Sequence, residues 1–132
     1  MHICTANVSH WEGAQRALEQ IDADVLMLQE HKGEPEQLAR HARTKAAPYL
    51  IQALPGHGPR QGRSCGVAIA VKPHLAYRPL PLEGQRGRLC GGVLRTAAVG
   101  DLLLVTVHVT VRDWTPSPHV WEQTVHLPVS HS

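Results

Sequence analysis

Apolar residues run consecutively, not alternately, in the segments with the strongest strand character: Val25-Leu26-Met27-Leu28, "CGVAIAV" at 65–71 and "LLLVTVHV" at 102–109. A strand with one wet face alternates apolar and polar side chains, so an unbroken apolar run calls for a strand covered on both faces. A two-layer arrangement with a solvated sheet face is thereby excluded. The chain has to stack further layers or lean on something outside itself. Aromatic residues are only 4% of the chain and Phe is absent, so aliphatic side chains must fill the core.

Around these runs the elements follow from spacing. "HICTANV" (2–8) suits a first strand. Ser9, with Glu12 three positions later, has capping-box spacing and predicts a helix whose apolar residues Trp11, Ala14, Ala17, Leu18 and Ile21 share one face. "DAD" then leads into the buried strand Val25–Gln29, which completes a strand-helix-strand unit. Pro35 begins a second helix that extends to about Lys45, and "PYLIQAL" (48–54) reads as strand. "PGHGPRQGR" (55–63) is a Gly- and Pro-rich loop offering His57, Arg60 and Arg63 to anions. "CGVAIAV" is a central strand, "LAYRPL" (75–80) a weaker edge strand, and "LCGGVLRTAAV" with "LLLVTVHV" a hairpin turning at Gly100-Asp101. Beyond Thr110 three prolines interrupt any period, so residues 111–132 are expected to form an irregular tail to a unit spanning 1–110. The sum is an α+β chain with a mixed, mostly antiparallel sheet and two helices on one face.

Several function classes drop out. A formal charge of +2 with scattered Arg permits a nucleic-acid or phosphorylated partner without demanding one. Ten histidines form no compact pair near cysteines at zinc spacing. Cys4, Cys65 and Cys90 are an odd number placed in or beside strands, where a thiol acts as a small hydrophobe; this favours a reduced, intracellular setting, the nucleus included. The N-terminus lacks the layout of a signal peptide, and no apolar run approaches the roughly 20 residues of a membrane span.

The chemistry concentrates where strands end. Asn7 closes the first strand, and Glu30 closes the strand that follows one helix later. In a parallel strand-helix-strand pair both C-terminal ends reach the same rim, where open α/β sheets place their ligands. A carboxylate and an amide oxygen, completed by water, suit Mg²⁺, a hard cation that keeps several waters. Spacing alone leaves open a plainer reading, a solvated strand end with Glu30 paired to Lys32.

"ICTANV", "ADVLMLQEHKG", "CGVAIAVK", "GRL" and "LLLVTVHV" resemble, in order and rough spacing, the endonuclease/exonuclease/phosphatase superfamily with its deoxyribonuclease-I-like fold. The resemblance spans residues 2 to about 110, and its most specific pieces are Asn7 and "LQE" at 28–30. It implies the N-terminal half of a four-layered α/β/β/α sandwich. It further implies that Glu30 coordinates a catalytic Mg²⁺, or Mn²⁺ in its place, and that Asn7 orients the metal's water or the phosphate. His108 falls where relatives carry a Tyr or His beside the scissile phosphate, and an imidazole can donate to a phosphate oxygen. Arg88, Arg63 and Lys32 are the phosphate contacts this reading offers, each equally legible as solubilising charge.

The "GDFN"-like segment, the Asp that polarises a general-base histidine and the closing "SDH"-like histidine of that family are not found, and His131 in "PVSHS" lacks the intervening Asp. The expectation is therefore a truncated Mg²⁺-dependent phosphodiesterase of the nucleic-acid endonuclease type found in retroelements and repair, DNA favoured, with little or no activity alone. One sheet would then lack its packing partner, to be supplied by the missing C-terminal half or another chain, with the tail around Trp114 and Trp121 a partial cover. Two alternatives stand beside it: a noncatalytic remnant or interaction domain with an exposed sheet, and a small histidine-rich metal binder.

Overall fold

The computed structural model describes residues 1–42, 49–56, 65–82, 88–108 and 121–126. Strand β1 (His2–Asn7), helix α1 (Trp11–Gln20) and strand β2 (Val25–Gln29) form the expected unit, with β1 and β2 parallel, Ile3 opposite Val25 and Asn7 opposite Gln29. Helix α2 (Pro35–Ala42) follows, then β3 (Leu50–Leu54), β4 (Val67–Val71), β5 (Ala76–Leu80), β6 (Leu89–Thr96), β7 (Gly100–Val107) and β8 (Trp121–His126). Five strands make one sheet in the order β3-β4-β2-β1-β8, and β5-β6-β7 make a second. Every pairing other than β1–β2 is antiparallel, so the sheets are mixed and mostly antiparallel as the sequence predicts.

The consecutive apolar runs are explained by what lies on each side of the larger sheet. Cys4, Ala6, Leu26, Leu28, Ala68 and Ala70 point to one face, where they pack with Ala14, Ala17 and Leu18 of α1. Their neighbours Val25, Val67, Ile69 and Val71 point to the other and meet Cys90, Leu94 and Leu104 of the smaller sheet. Each central strand thus divides its side chains between two cores, and no solvated face remains to require polar residues. Helices, five-stranded sheet and three-stranded sheet give three of the four layers of the expected sandwich.

The two sheets are also tied by polar contacts. Gln52 on β3 donates from Nε2 to Gly91 O at 2.9 Å and accepts from the Tyr77 hydroxyl. Burial raises the pKa of that hydroxyl, which therefore stays a donor. The Tyr77 ring crosses Gly92, where an added Cβ would lie 2.4 Å from Tyr77 Cζ and 2.6 Å from Arg78 O. Backbone blocks escape on one side and a clamped ring on the other, so Gly92→Ala is expected to cost about 1–3 kcal/mol, the range for overpacking. A lowered urea midpoint at unchanged slope reads this directly, and an unchanged midpoint would disprove the close packing of β5 on β6.

On β7 the inward residues Leu104 and Thr106 are buried, whereas Leu103, Val105 and Val107 are exposed by 62, 37 and 47%. Among the described residues no layer covers this outer face.

Two expectations are corrected. Ser9 is not the helix cap: its φ is +63° because Asn7 Oδ1 accepts from Ser9 N at 3.1 Å, and His10 takes over, its Nδ1 accepting from Gly13 N at 2.7 Å. The tail beyond residue 110 is not irregular throughout, since Trp121–His126 pairs antiparallel with β1, His2 opposite His126. β1 would otherwise present an open edge, and this six-residue stretch between Pro118 and Pro128 can donate a full ladder to it. The second helix is described over Pro35–Ala42, and residues 43–45 of its expected span lie outside the described residues. So do His57, Arg60 and Arg63 of the Gly- and Pro-rich loop.

Candidate active site

The parallel register fixes the geometry of the rim. Asn7 lies opposite Gln29, Val8 N donates to Gln29 O at 3.0 Å, and Glu30 is the next residue along. Asn7 and Glu30 therefore leave the sheet at the same edge, on adjacent strands about 4.8 Å apart. Between this edge and the end of β7 opens a cleft of about 410 Å³. Thr5 and Asn7 line it from β1, Met27 and Gln29 from β2, and Thr106, Val107 and His108 from across the sandwich. Asn7 and His108 are thus brought to one cleft.

Gln29 forms the floor. Its Nε2 donates to Thr5 Oγ1 and to Thr106 Oγ1, both at 2.8 Å, which links the two sheets through one amide. Thr106 is 2% exposed, so its hydroxyl depends on this partner. Sequence reasoning missed this trio. Its only signal is two polar residues, Gln29 and Thr106, at positions where strands otherwise apolar turn inward.

Glu30 stands just beyond the cleft lining. Its carboxylate lies 3.9 Å from Lys32 Nζ, the pairing that the plainer reading of the sequence named. Side-chain exposures of 14% for Glu30 and 35% for Lys32 make this a weak, partly solvated pair. Glu30 and Lys32 both have left-handed backbones, with φ of +61° and +53°. Such conformations cost non-glycine residues on the order of 1–3 kcal/mol each and persist only where the surroundings impose them. Between the two sits His31, fully buried, its Nδ1 accepting from Gly33 N at 2.8 Å and its Nε2 facing Val67 O at 3.3 Å. Burial lowers the His31 pKa against the opposing pull of the Val67 and Leu54 carbonyls, so the ring is held neutral with its proton on Nε2.

Of the cationic candidates, Arg88 is joined to His108 through the backbone, His108 N donating to Arg88 O at 2.8 Å. Its buried Nε has no hydrogen-bond partner among the described residues. Lys32 is engaged by Glu30, and Arg63 lies outside the described residues.

Among the described residues no cluster of three or more His, Cys, Asp or Glu could hold a metal ion. The donors at the rim are instead one carboxylate and one amide oxygen, and the Asn7 oxygen already accepts from Ser9 N. This set suits neither Zn²⁺, which takes three or four N/S/O ligands, nor a caged Ca²⁺. It fits Mg²⁺, which is held by one or two carboxylates and keeps much of its water shell. No helix of the described chain is long and apolar enough to cross a membrane.

The fold has counterparts among solved structures. The AP endonuclease LMAP from Leishmania major superposes with a TM-score of 0.61 at 23% identity, covering 83% of this chain and 40% of that one. The endonuclease domain of TRAS1, a telomere-specific non-LTR retrotransposon, matches at TM-score 0.47 and 16% identity, with 83% and 46% covered. The 3′ phosphatase NExo from Neisseria, solved with a product DNA hairpin, matches at TM-score 0.45 and 20% identity, with 78% and 40% covered. The chain therefore spans less than half the length of each of these. No curated protein matches the sequence. The profile of the Endonuclease/Exonuclease/phosphatase family matches residues 4–129, through β8 and past the boundary expected near residue 110. With that match spanning nearly all of its residues, the chain belongs to the Endonuclease/Exonuclease/phosphatase family.

Proposed function

We propose that this chain is the metal- and phosphate-holding part of a Mg²⁺-dependent phosphodiesterase acting on nucleic acid, an endonuclease of the repair or retroelement type. The observation that supports the reading is the β1–β2 register, by which Asn7 and Glu30 reach the same rim, with His108 facing Asn7 across the cleft and Glu30 just beyond its lining. The likeness to an AP endonuclease favours DNA among phosphodiester substrates. A DNA substrate also agrees with a nuclear setting.

Glu30 and Asn7 would hold the cation, with Mn²⁺ an acceptable substitute for Mg²⁺. When bound, the ion offsets charge on the phosphoryl oxygens and lowers the pKa of an attacking water. His108 donates to a phosphate oxygen at the cleft mouth, and Asn7 orients the water or the phosphate beside it. Arg88, with its unpartnered Nε, Lys32 and Arg63 meet flanking phosphates. This reading assigns no general base to the described residues, and doing without one typically costs on the order of a hundred- to ten-thousand-fold. Activity of the chain alone is accordingly expected to be slight, and the apolar outer face of β7 is the surface on which a C-terminal half or another chain would pack.

The reading predicts that Mg²⁺ raises the melting temperature saturably, by about 2.7 kcal/mol of added stability at one hundred times its dissociation constant. Mn²⁺ should reproduce the effect. A melting temperature that stays flat across both titrations would leave the noncatalytic interaction domain as the better account, with Leu103, Val105 and Val107 as its contact surface.

A further inference from the structure

We propose that His31 is a positioning residue: its buried imidazole clamps the turn after β2 onto β4 and so fixes where the Glu30 carboxylate stands. The inference rests on the reading of Glu30 as a Mg²⁺ ligand and deepens it.

Four residues with positive φ face each other across this junction, Glu30 (+61°) and Lys32 (+53°) after β2, Cys65 (+65°) and Gly66 (+93°) before β4. The two segments are bound crosswise, His31 N donating to Gly66 O at 3.1 Å and Lys32 N to Cys65 O at 2.9 Å. The imidazole closes the structure with both nitrogens. Nδ1 accepts from Gly33 N within its own turn, and Nε2 meets Val67 O on β4. Trp11 of α1 packs edge-on against the ring, with centroids 5.8 Å apart. Gly33 O in turn accepts from Gly56 N at 3.0 Å, which ties the same turn to the segment after β3.

Nothing in the sequence of residues 29–33 favours a left-handed Glu. The conformation is imposed by the ring on one side and by Gly66 on the other, where a Cβ would fall 2.7 Å from His31 Cε1 and 2.8 Å from Nδ1. A residue in this position acts on the cation at one remove, as do the partners that orient metal ligands elsewhere, whose loss costs ten- to a hundredfold in metal affinity.

The test uses the full chain and MgCl₂ alone as probe, with the melting temperature recorded across the titration. His31→Leu fills the space but bonds neither Gly33 N nor Val67 O, and is expected to raise the half-saturating Mg²⁺ concentration about tenfold or more. His31→Asn, whose Oδ1 can stand in for Nδ1 toward Gly33 N, should recover part of that loss. In a Glu30→Gln background, His31→Leu should change only the metal-free melting temperature. Should His31→Leu not fold, Gly66→Ala displaces the ring from the opposite side and is expected to weaken Mg²⁺ by a similar factor. A half-saturating concentration within twofold of wild type in the folded variants would overturn the proposal, because a merely structural histidine lowers the metal-free melting temperature and leaves the metal midpoint alone. A wild-type chain indifferent to Mg²⁺ would overturn the metal reading itself, and this inference with it.

Discussion

Gln29→Leu is expected to destabilise the chain by about 2–4 kcal/mol, and most of that loss should return when Thr106→Val is added. The substitution keeps the volume between the sheets but removes the amide that donates to Thr106 Oγ1 and Thr5 Oγ1 at 2.8 Å. Thr106 is 2% exposed, so its oxygen has no water to turn to and carries the full cost of an unmade bond. Valine at 106 has nearly the same shape and no oxygen to satisfy, which makes the doubly apolar floor close to neutral. Thr5 is only half-buried and contributes less. Urea melts of wild type, both single variants and the double variant give the coupling, expected at about 1–3 kcal/mol in favour of the double variant. Additive losses would mean that Gln29 is a space-filler and that the polar floor of the cleft does not join the sheets.

The same floor shows where sequence reasoning reaches and where it stops. Runs such as Val67–Val71 announce burial on both faces, and the helical spacing of Ala14, Ala17 and Leu18 announces the layer that covers one of them, because side-chain period is a local property. The parallel β1–β2 pair follows from strand-helix-strand order, and it alone places Asn7 and Glu30 on one rim. Gln29 with Thr106 was beyond reach, since that contact joins residues 77 apart and no local pattern encodes it. The strand at Trp121–His126 was missed for a related reason. Its pairing is dictated by the open edge of β1, a feature of the assembled sheet, while its own neighbourhood is punctuated by prolines.

Ser9 illustrates a different failure. A serine three residues before a glutamate satisfies the capping pattern, yet Asn7 captures the Ser9 amide first and pushes Ser9 to φ +63°, so the cap passes to His10. Two local hydrogen-bonding options competed, and the rim residue won. That outcome bears on the site. The Asn7 side chain is held by the turn it organises, its oxygen fixed by the Ser9 amide.

Glu30→Asn should move stability and metal response in opposite directions. Glutamate at φ +61° is in a region that asparagine enters with far less penalty, so the metal-free chain is expected to gain about 0.5–1 kcal/mol. The lost contact to Lys32, at 3.9 Å and partly solvated, subtracts little from that gain. Meanwhile the Glu30 carboxylate becomes a shorter, neutral amide, and affinity for a hard divalent ion is expected to fall at least tenfold, which at one hundred times the wild-type dissociation constant cuts the added stability from about 2.7 to at most about 1.4 kcal/mol. A backbone strained for no return would be relieved by many substitutions, whereas a strain retained because it sets a ligand in place is relieved only at the expense of that ligand. Melting curves with and without MgCl₂ separate the two cases. A variant that melts higher and responds much more weakly to Mg²⁺ identifies the left-handed Glu30 as a functional constraint, and one that melts lower while keeping the full response would show that the turn after β2 is built for stability alone.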